Sequence, residues 1–69
     1  MNYREKIGQR IKEIRTEKGI STYRLAELTG LKQPNIVRIE SGKYSTGIDI
    51  LSNIAAALDC EIDFTDKRK

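Results

Sequence analysis

Short segments with helical apolar spacing, each closed by a glycine, make up most of this sequence. The closing glycines stand at positions 19, 30 and 42. In the first segment Ile7, Ile11 and Ile14 recur at intervals of four and three, which predicts a helix over Tyr3–Lys18. A glycine just after such a segment is typical of a helix end, because glycine adopts the left-handed backbone without a steric penalty.

The rest of the chain up to residue 59 predicts three more helices. Ser21 is a good N-cap for the second helix, and Pro34 suits the first turn of a third helix that begins at Lys32 or Gln33. The apolar faces are Leu25, Ala26 and Leu28 in the second helix, Ile36 and Ile39 in the third, and Ile48, Leu51, Ile54, Ala55 and Leu58 in the fourth. The sequence therefore predicts an all-α, compact four-helix domain over residues 1–59.

The spacing of apolar residues changes from helical to alternating in the C-terminal part, residues 60–69. Cys60, Ile62 and Phe64 alternate with polar residues, which is typical of a β-strand. A single strand has no partner in an otherwise helical monomer, so we interpret this one as a short strand that pairs across a dimer and is followed by a basic tail. An extended tail and a short fifth helix remain as alternatives.

Composition limits the chemistry of the chain. Cys60 is the only cysteine and there is no histidine, which argues against a disulfide within the monomer, a zinc site or an activated nucleophile. Neither a cofactor nor a metal is expected, and we predict that the chain is not an enzyme. No apolar run approaches the roughly 20 residues that a membrane span requires, so we expect a cytoplasmic protein without membrane contact.

The charges are unevenly distributed along the chain. Residues 1–46 hold ten Lys and Arg against five Asp and Glu, whereas residues 47–66 hold five acids and no Lys or Arg. A chain polarised in this way can turn a basic side toward a polyanion. Charges that merely keep the helices hydrated would give a similar composition, so the charge pattern alone leaves nucleic-acid binding open.

The segment from Ser21 to Ser41 has the pattern of two short helices joined by a tight turn at Gly30. Ala26 is small enough for the two helices to approach closely, and Leu31 and Ile36 fill the angle between them. The apolar residues of the third helix then face inward and leave its first turn and outer face polar. A helix of this kind can enter the major groove of DNA.

From Ile11 to Leu58 the chain resembles the lambda-repressor and Cro-like (XRE-type) helix-turn-helix family. The residues that carry the resemblance are Ile11, Arg15, Gly19-Ile20-Ser21, Leu25-Ala26, Gly30-Leu31, Ile36, Ile39-Glu40, Gly42 and Ala55-Ala56-Ala57-Leu58. The resemblance implies double-stranded DNA as the partner. It also implies that Arg15 and Glu40 form a buried ion pair between the first helix and the recognition helix.

Position by position, the resemblance also implies which side chains touch DNA. The expected base-reading residues are Lys32, Gln33, Pro34, Val37 and Arg38. The expected phosphate contacts are Thr22, Tyr23, Asn35, Lys43, Tyr44 and Ser45. Gln33 and Arg38 are the strongest candidates for specificity, since Gln can bond adenine and Arg guanine in a bidentate manner.

The leading hypothesis from the sequence is a sequence-specific transcriptional regulator, a repressor that acts as a homodimer on a palindromic operator. Its dimer contacts would come from Cys60, Ile62 and Phe64. The alternative is the antitoxin of a toxin–antitoxin pair, which would bind a toxin protein and regulate its own synthesis.

Overall fold

The structure, a computed structural model, describes residues 2–68 of the chain. Within that range it contains four α-helices: α1 (Tyr3–Glu17), α2 (Thr22–Thr29), α3 (Gln33–Glu40) and α4 (Ile48–Ala57). The prediction of an all-α, four-helix domain is confirmed. The proposed division at residues 59 and 60 stays a prediction, and its outer ends, residues 1 and 69, lie outside the described range. No helix in residues 2–68 is both long and apolar enough to cross a membrane.

Local hydrogen bonds define where the helices begin. At α1 the side chain of Asn2 accepts from the backbone N–H of Glu5 at 3.0 Å, and the Glu5 side chain accepts in return from Asn2, which is a capping box. At α2 the Ser21 hydroxyl accepts from the backbone N–H of Arg24 at 3.0 Å. The first turn of α3 contains Pro34, whose missing N–H would have no partner within the helix.

Three of the helices end in the same hydrogen-bonded motif. After α1, α3 and α4 one residue adopts a positive φ, and the next backbone N–H bonds to the carbonyl five residues earlier. The positive-φ residue is Gly19 after α1, Gly42 after α3 and Asp59 after α4. The motif stops each helix and turns the chain sharply, which lets short helices pack on one another.

The core lies where the four helices meet. Leu25, Ile36, Ile54 and Leu58 are almost completely buried, each at 2% exposure or less. α3 packs against α1 and α2, and α4 packs on α2. The prediction that Leu28 and Ile48 lie on the apolar inner faces of α2 and α4 is wrong, since their side chains are 43% and 63% exposed. At 100° per residue Leu28 lies about 60° from Leu25 but about 160° from Ala26, so it falls outside the face that these two residues bury.

The structure corrects the prediction for residues 60–65. In the part of the chain between residues 2 and 68 there is neither a β-strand nor a fifth helix, and residues 60–66 have no regular secondary structure. The physical reason is that a strand requires a hydrogen-bonded neighbour, and every element beside this segment is a helix. Of the three alternatives, the extended tail describes the observed chain.

Candidate nucleic-acid interface

α2, the turn and α3 form a compact unit with one buried and one open side. Gly30 has φ +74° and its N–H donates to the carbonyl of Ala26 at 2.9 Å, which ends α2. Two residues later α3 begins at Gln33. Ala26 is 9% exposed and Ile36 is 1% exposed, so the two helices meet through a small side chain and a fully buried one. This packing determines which side of α3 faces outward.

The outer side of α3 carries the residues that the sequence predicts for base reading. Lys32, Pro34 and Arg38 are exposed, Val37 is 46% exposed and Gln33 is half-buried. The opposite side holds Ile36 and Ile39, both buried. The structure therefore brings the five predicted base-reading residues to one end and one face of α3. Their contact with DNA stays a prediction.

A hydrogen bond joins the first turn of α2 to the first turn of α3. The Gln33 amide Nε2 donates to the Thr22 hydroxyl Oγ1 at 3.0 Å. This bond leaves the Gln33 carbonyl oxygen and one amide hydrogen free, and it leaves the Thr22 O–H able to donate to another acceptor. The same contact thus orients an amide that can read a base and a hydroxyl that can bind a phosphate.

The predicted phosphate contacts lie on both sides of α3. Thr22 and Tyr23 stand at the start of α2, where the Tyr23 side chain is 70% exposed. The other group, Lys43, Tyr44 and Ser45, follows α3 in the loop to α4, and all three are exposed. Asn35 is half-buried within α3 itself. An extended anion such as a DNA strand could touch both groups while α3 lies between them.

Arg15 of α1 and Glu40 at the end of α3 form a bidentate ion pair. The Arg15 Nε donates to one Glu40 carboxylate oxygen at 2.6 Å, and its second terminal nitrogen donates to the other at 3.0 Å. The remaining terminal nitrogen donates to the carbonyl of Ile20 at 2.8 Å. The two side chains are only 9% and 7% exposed. The hydrogen bonds to Glu40 raise the pKa of the Arg15 guanidinium above its ordinary value despite the opposing effect of burial, so the guanidinium stays charged.

Two glycines, Gly8 and Gly42, allow α1 to lie close to α3. The sequence motifs did not single out Gly8. A Cβ on Gly8 would collide with the carbonyl oxygen of Ile39 and would lie 2.7 Å from that of Glu40. A Cβ on Gly42 would lie 2.7 Å from the Cα of Glu5. A glycine in the middle of a helical segment is unusual because it weakens the helix, and that signal could have marked Gly8 as a close contact.

Two long-range caps also have no counterpart among the sequence predictions. The Lys18 ammonium donates to the carbonyl of Leu58 at 2.7 Å, at the end of α4. The Asn53 side chain donates to the carbonyl of Thr29 at 2.7 Å, at the end of α2. Both bonds satisfy carbonyls that have no partner within their own helix. No local pattern signals them, because the partners lie 40 and 24 residues apart in the chain.

A helix-turn-helix family model (HTH_3) matches residues 11–64, which include α2, α3 and α4. The chain belongs to the XRE-type helix-turn-helix family. This assignment agrees with the geometry described above, in which α2 supports α3 and α3 presents a polar outer face. It confirms the resemblance that the sequence motifs indicate.

Two regulatory proteins are similar to the chain in sequence. An immunity repressor protein of Bacillus phage phi105 is 34% identical over 56 residues, which cover 81% of this chain and 39% of the phage protein. The chain therefore spans about two-fifths of the length of that relative. The crystal structure of the restriction-modification controller protein C.AhdI from Aeromonas hydrophila is 38% identical, with a TM-score of 0.80 over 83% of this chain and 86% of that chain.

A third protein is similar in fold alone. The clp gene regulator ClgR from C. glutamicum is 23% identical, with a TM-score of 0.85 over 88% of this chain and 79% of that chain. At this level of identity the likeness concerns the path of the backbone and not the identity of the side chains on α3.

Proposed function

We propose that the chain is a transcriptional repressor that binds a palindromic operator as a homodimer, with α3 in the major groove. The observation that carries the proposal is the outer face of α3, where Lys32, Gln33, Val37 and Arg38 are grouped on a helix whose inner face is buried. Such a helix can approach base edges without disturbing the core. The repressor assignment draws further support from the phage relative, which is named an immunity repressor.

Each group on this face suits a different part of the groove. The Gln33 amide, oriented by Thr22, can accept from the N6 amino group of adenine and donate to its N7. The Arg38 guanidinium can donate to O6 and N7 of guanine, and the exposed Val37 offers a surface for a thymine methyl group. Sequence would then be read through two hydrogen-bonded contacts and one apolar contact per copy.

The proposed dimer follows from the small reach of one copy. An α3 of eight residues is about 12 Å long, so it covers only a few base pairs. Helix-turn-helix regulators bind half-sites about 34–36 Å apart, and the shorter dimensions of this domain are 23 and 22 Å. That half-site spacing exceeds both of these widths, so one copy places its α3 in one half-site and a second copy must occupy the other. One copy alone would read too few bases to find a single operator.

The experiment that tests this function is a selection of bound sequences from random double-stranded DNA. The expected result is a motif with two-fold symmetry whose half-sites are one helical turn apart. A set of bound sequences without any shared motif would contradict sequence-specific binding. A single asymmetric half-site would contradict the dimer and leave the base-reading role of α3 standing.

Arg38 and Lys43 should differ in what their removal does to binding. We expect Arg38→Ala to reduce discrimination at one position of each half-site by about 1–3 kcal/mol, because it removes a bidentate base contact. We expect Lys43→Ala to weaken all sequences alike and to lower the salt slope by about 0.9 for each phosphate that is no longer neutralised. Titrations of matched and single-base-variant operators at several salt concentrations separate the two effects. Equal losses for every sequence in both variants would contradict the assignment of Arg38.

Thr22 and Gln33 should act as one unit. We expect Thr22→Val and Gln33→Ala each to weaken operator binding, and the double variant to lose less than the sum, with a coupling of about 0.5–3 kcal/mol. Thr16→Val is the matched control, because the Thr16 hydroxyl donates only to carbonyls of α1, those of Lys12 and Glu13. Additive losses at Thr22 and Gln33 would show that the hydrogen bond between them does not serve DNA recognition.

The antitoxin hypothesis stays a prediction. Neither the four-helix fold nor any of the three similar proteins points to a toxin as partner. The hypothesis rests on the acidic residues of 47–66, which would suit a basic protein partner.

A further inference from the structure

An apolar groove separates α1 from α4 at the surface of the domain. Its volume is about 320 Å³. The helical walls include Ile7, Ile11 and Ile14 of α1 and Leu51, Ile54 and Ala55 of α4. The chain segment Cys60–Asp63 runs along its rim, and Ile7 at its edge is 39% exposed. The groove is thus lined by branched aliphatic side chains and is open to solvent.

Directly beyond this rim stands the most exposed large apolar side chain described in residues 2–68. Phe64 is 98% exposed, and Ile62 before it is 49% exposed. A cavity of about 150 Å³ lined by aliphatic side chains is large enough to bind benzene, so this groove has room for a phenyl ring. The chain therefore carries an aliphatic groove with room for a phenyl ring and, one residue beyond the segment at its rim, an exposed phenyl ring.

We propose that Phe64 of each copy inserts into the α1–α4 groove of a second copy, which makes the groove and residues 60–64 one reciprocal interface. The inference rests on the homodimer of the proposed function and specifies the contact that forms it. Because the ring and the groove lie in the same region of the chain, one two-fold axis can fill both grooves with both rings. In this arrangement Phe64 contacts helices of the partner, whereas in strand pairing it would contact the partner's own residues 60–65.

Charge complementarity favours a second copy as the occupant. Residues 59–66 carry Asp59, Glu61, Asp63 and Asp66 and no Lys or Arg. α1 presents Arg10 at the rim of the groove, where it bonds Glu13 at 3.3 Å. Lys6 and Arg10 also border a neighbouring surface depression that Asp63 of the same chain lines. An incoming segment 60–65 would place a carboxylate beside Lys6, which forms no ion pair within residues 2–68, while its ring enters the groove. This pairing would favour one orientation of the two copies.

The expected interface is small. Each phenylalanine contributes about 150–250 Å² of buried surface, so two rings and the walls that they cover give somewhat less than the roughly 1,200 Å² of a standard specific interface. We therefore expect a reversible dimer in the micromolar range that binding to two half-sites would strengthen. Regulation by protein concentration would follow directly, since the dimer would form only as the protein accumulates.

The first test is sedimentation velocity of the full chain without DNA, over a micromolar concentration series. We expect Phe64→Ala to weaken the dimer at least about tenfold, because it removes a buried aromatic anchor. Ala55→Leu, which fills the groove from within, is expected to do the same while the domain stays folded by circular dichroism. Ile48→Ala is the matched control, because Ile48 is 63% exposed but does not line the groove, and this variant should dimerise normally.

The second test locates the ring. A photoreactive benzoylphenylalanine in place of Phe64, in a mixture of isotopically light and heavy chains, should cross-link to α1 or α4 peptides of the other chain. The proposal would be overturned if the chain were a monomer at every concentration. It would also be overturned if neither Phe64→Ala nor Ala55→Leu changed the dissociation constant of the dimer. Cross-links confined to one chain or to the partner's residues 60–65 would overturn it as well. Neither the sedimentation experiment nor the cross-linking experiment contains DNA. DNA binding is measured separately, by a gel shift with a single half-site, so a failure of the dimer contact can be told apart from a failure of DNA binding.

Discussion

Replacing Arg15 with alanine is expected to lower the free energy of unfolding by about 3–5 kcal/mol. The substitution leaves the Glu40 carboxylate, whose side chain is 7% exposed, without its bidentate partner, and it also removes the donor to the carbonyl of Ile20. A domain of this size has a total stability of about the same magnitude. The variant should therefore be largely unfolded near room temperature, as measured by urea denaturation followed by circular dichroism.

Two further variants show whether the loss arises from an uncompensated buried charge. Arg24→Ala is the surface control, since Arg24 and Glu27 form an ion pair whose side chains are 59% and 71% exposed, and it should cost only about 0.2–1 kcal/mol. The double variant Arg15→Met with Glu40→Leu should recover most of the lost stability, because it removes both charges and keeps the volume filled. If Arg15→Ala were as stable as the wild type, the pair would contribute nothing to the contact between α1 and α3.

Replacing Gly8 with alanine is expected to destabilise the domain by about 1–3 kcal/mol, although alanine is the better helix former. In an exposed helix the same change would stabilise by about 0.5–1 kcal/mol. Here the new Cβ would meet the carbonyl oxygens of Ile39 and Glu40, which belong to the backbone and cannot rotate away. α1 and α3 would have to separate, so thermal unfolding should report a lower midpoint and titration with operator DNA a lower affinity.

Gly47→Ala is the matched control for this prediction. Gly47 has φ −70° and open space around its Cα, and it stands at the N-cap of α4. The substitution should cost no more than about 1 kcal/mol, the difference between glycine and alanine at an N-cap. A Gly8→Ala domain with wild-type stability and wild-type operator affinity would show that the close approach of α1 and α3 is not required.

Most of the helical architecture was predictable from the chain. Gly19, Gly30 and Gly42 end three helices as their positions indicate, and Ser21 and Pro34 mark two of the helix starts. The signals are reliable because capping and helical periodicity depend on residues within about one turn of each other. The outward position of the predicted base-reading face follows from the same periodicity, since Ile36 and Ile39 must face the core.

The predictions that were wrong or missing all concern contacts between distant parts of the chain. The alternation of Cys60, Ile62 and Phe64 predicts a strand, but residues 2–68 of the single chain contain no second strand for it to bond with. Leu28 fits the apolar pattern of α2, yet only the position of α2 relative to α3 and α4 determines that its side chain stays 43% exposed. The need for a glycine at position 8 becomes visible only in the folded chain, where α1 lies against the end of α3.

The amino-acid sequence by itself determined the four helices, their ends and the polar outer face of α3, because these depend on local backbone preferences and on which side chains avoid water. The tertiary structure alone decided how those pieces combine. It placed Thr22 beside Gln33, gave the Arg15–Glu40 pair that the family resemblance implies its bidentate geometry, and left an open groove between α1 and α4. These contacts depend on distances between residues far apart in the chain, and such distances are set only when the helices pack.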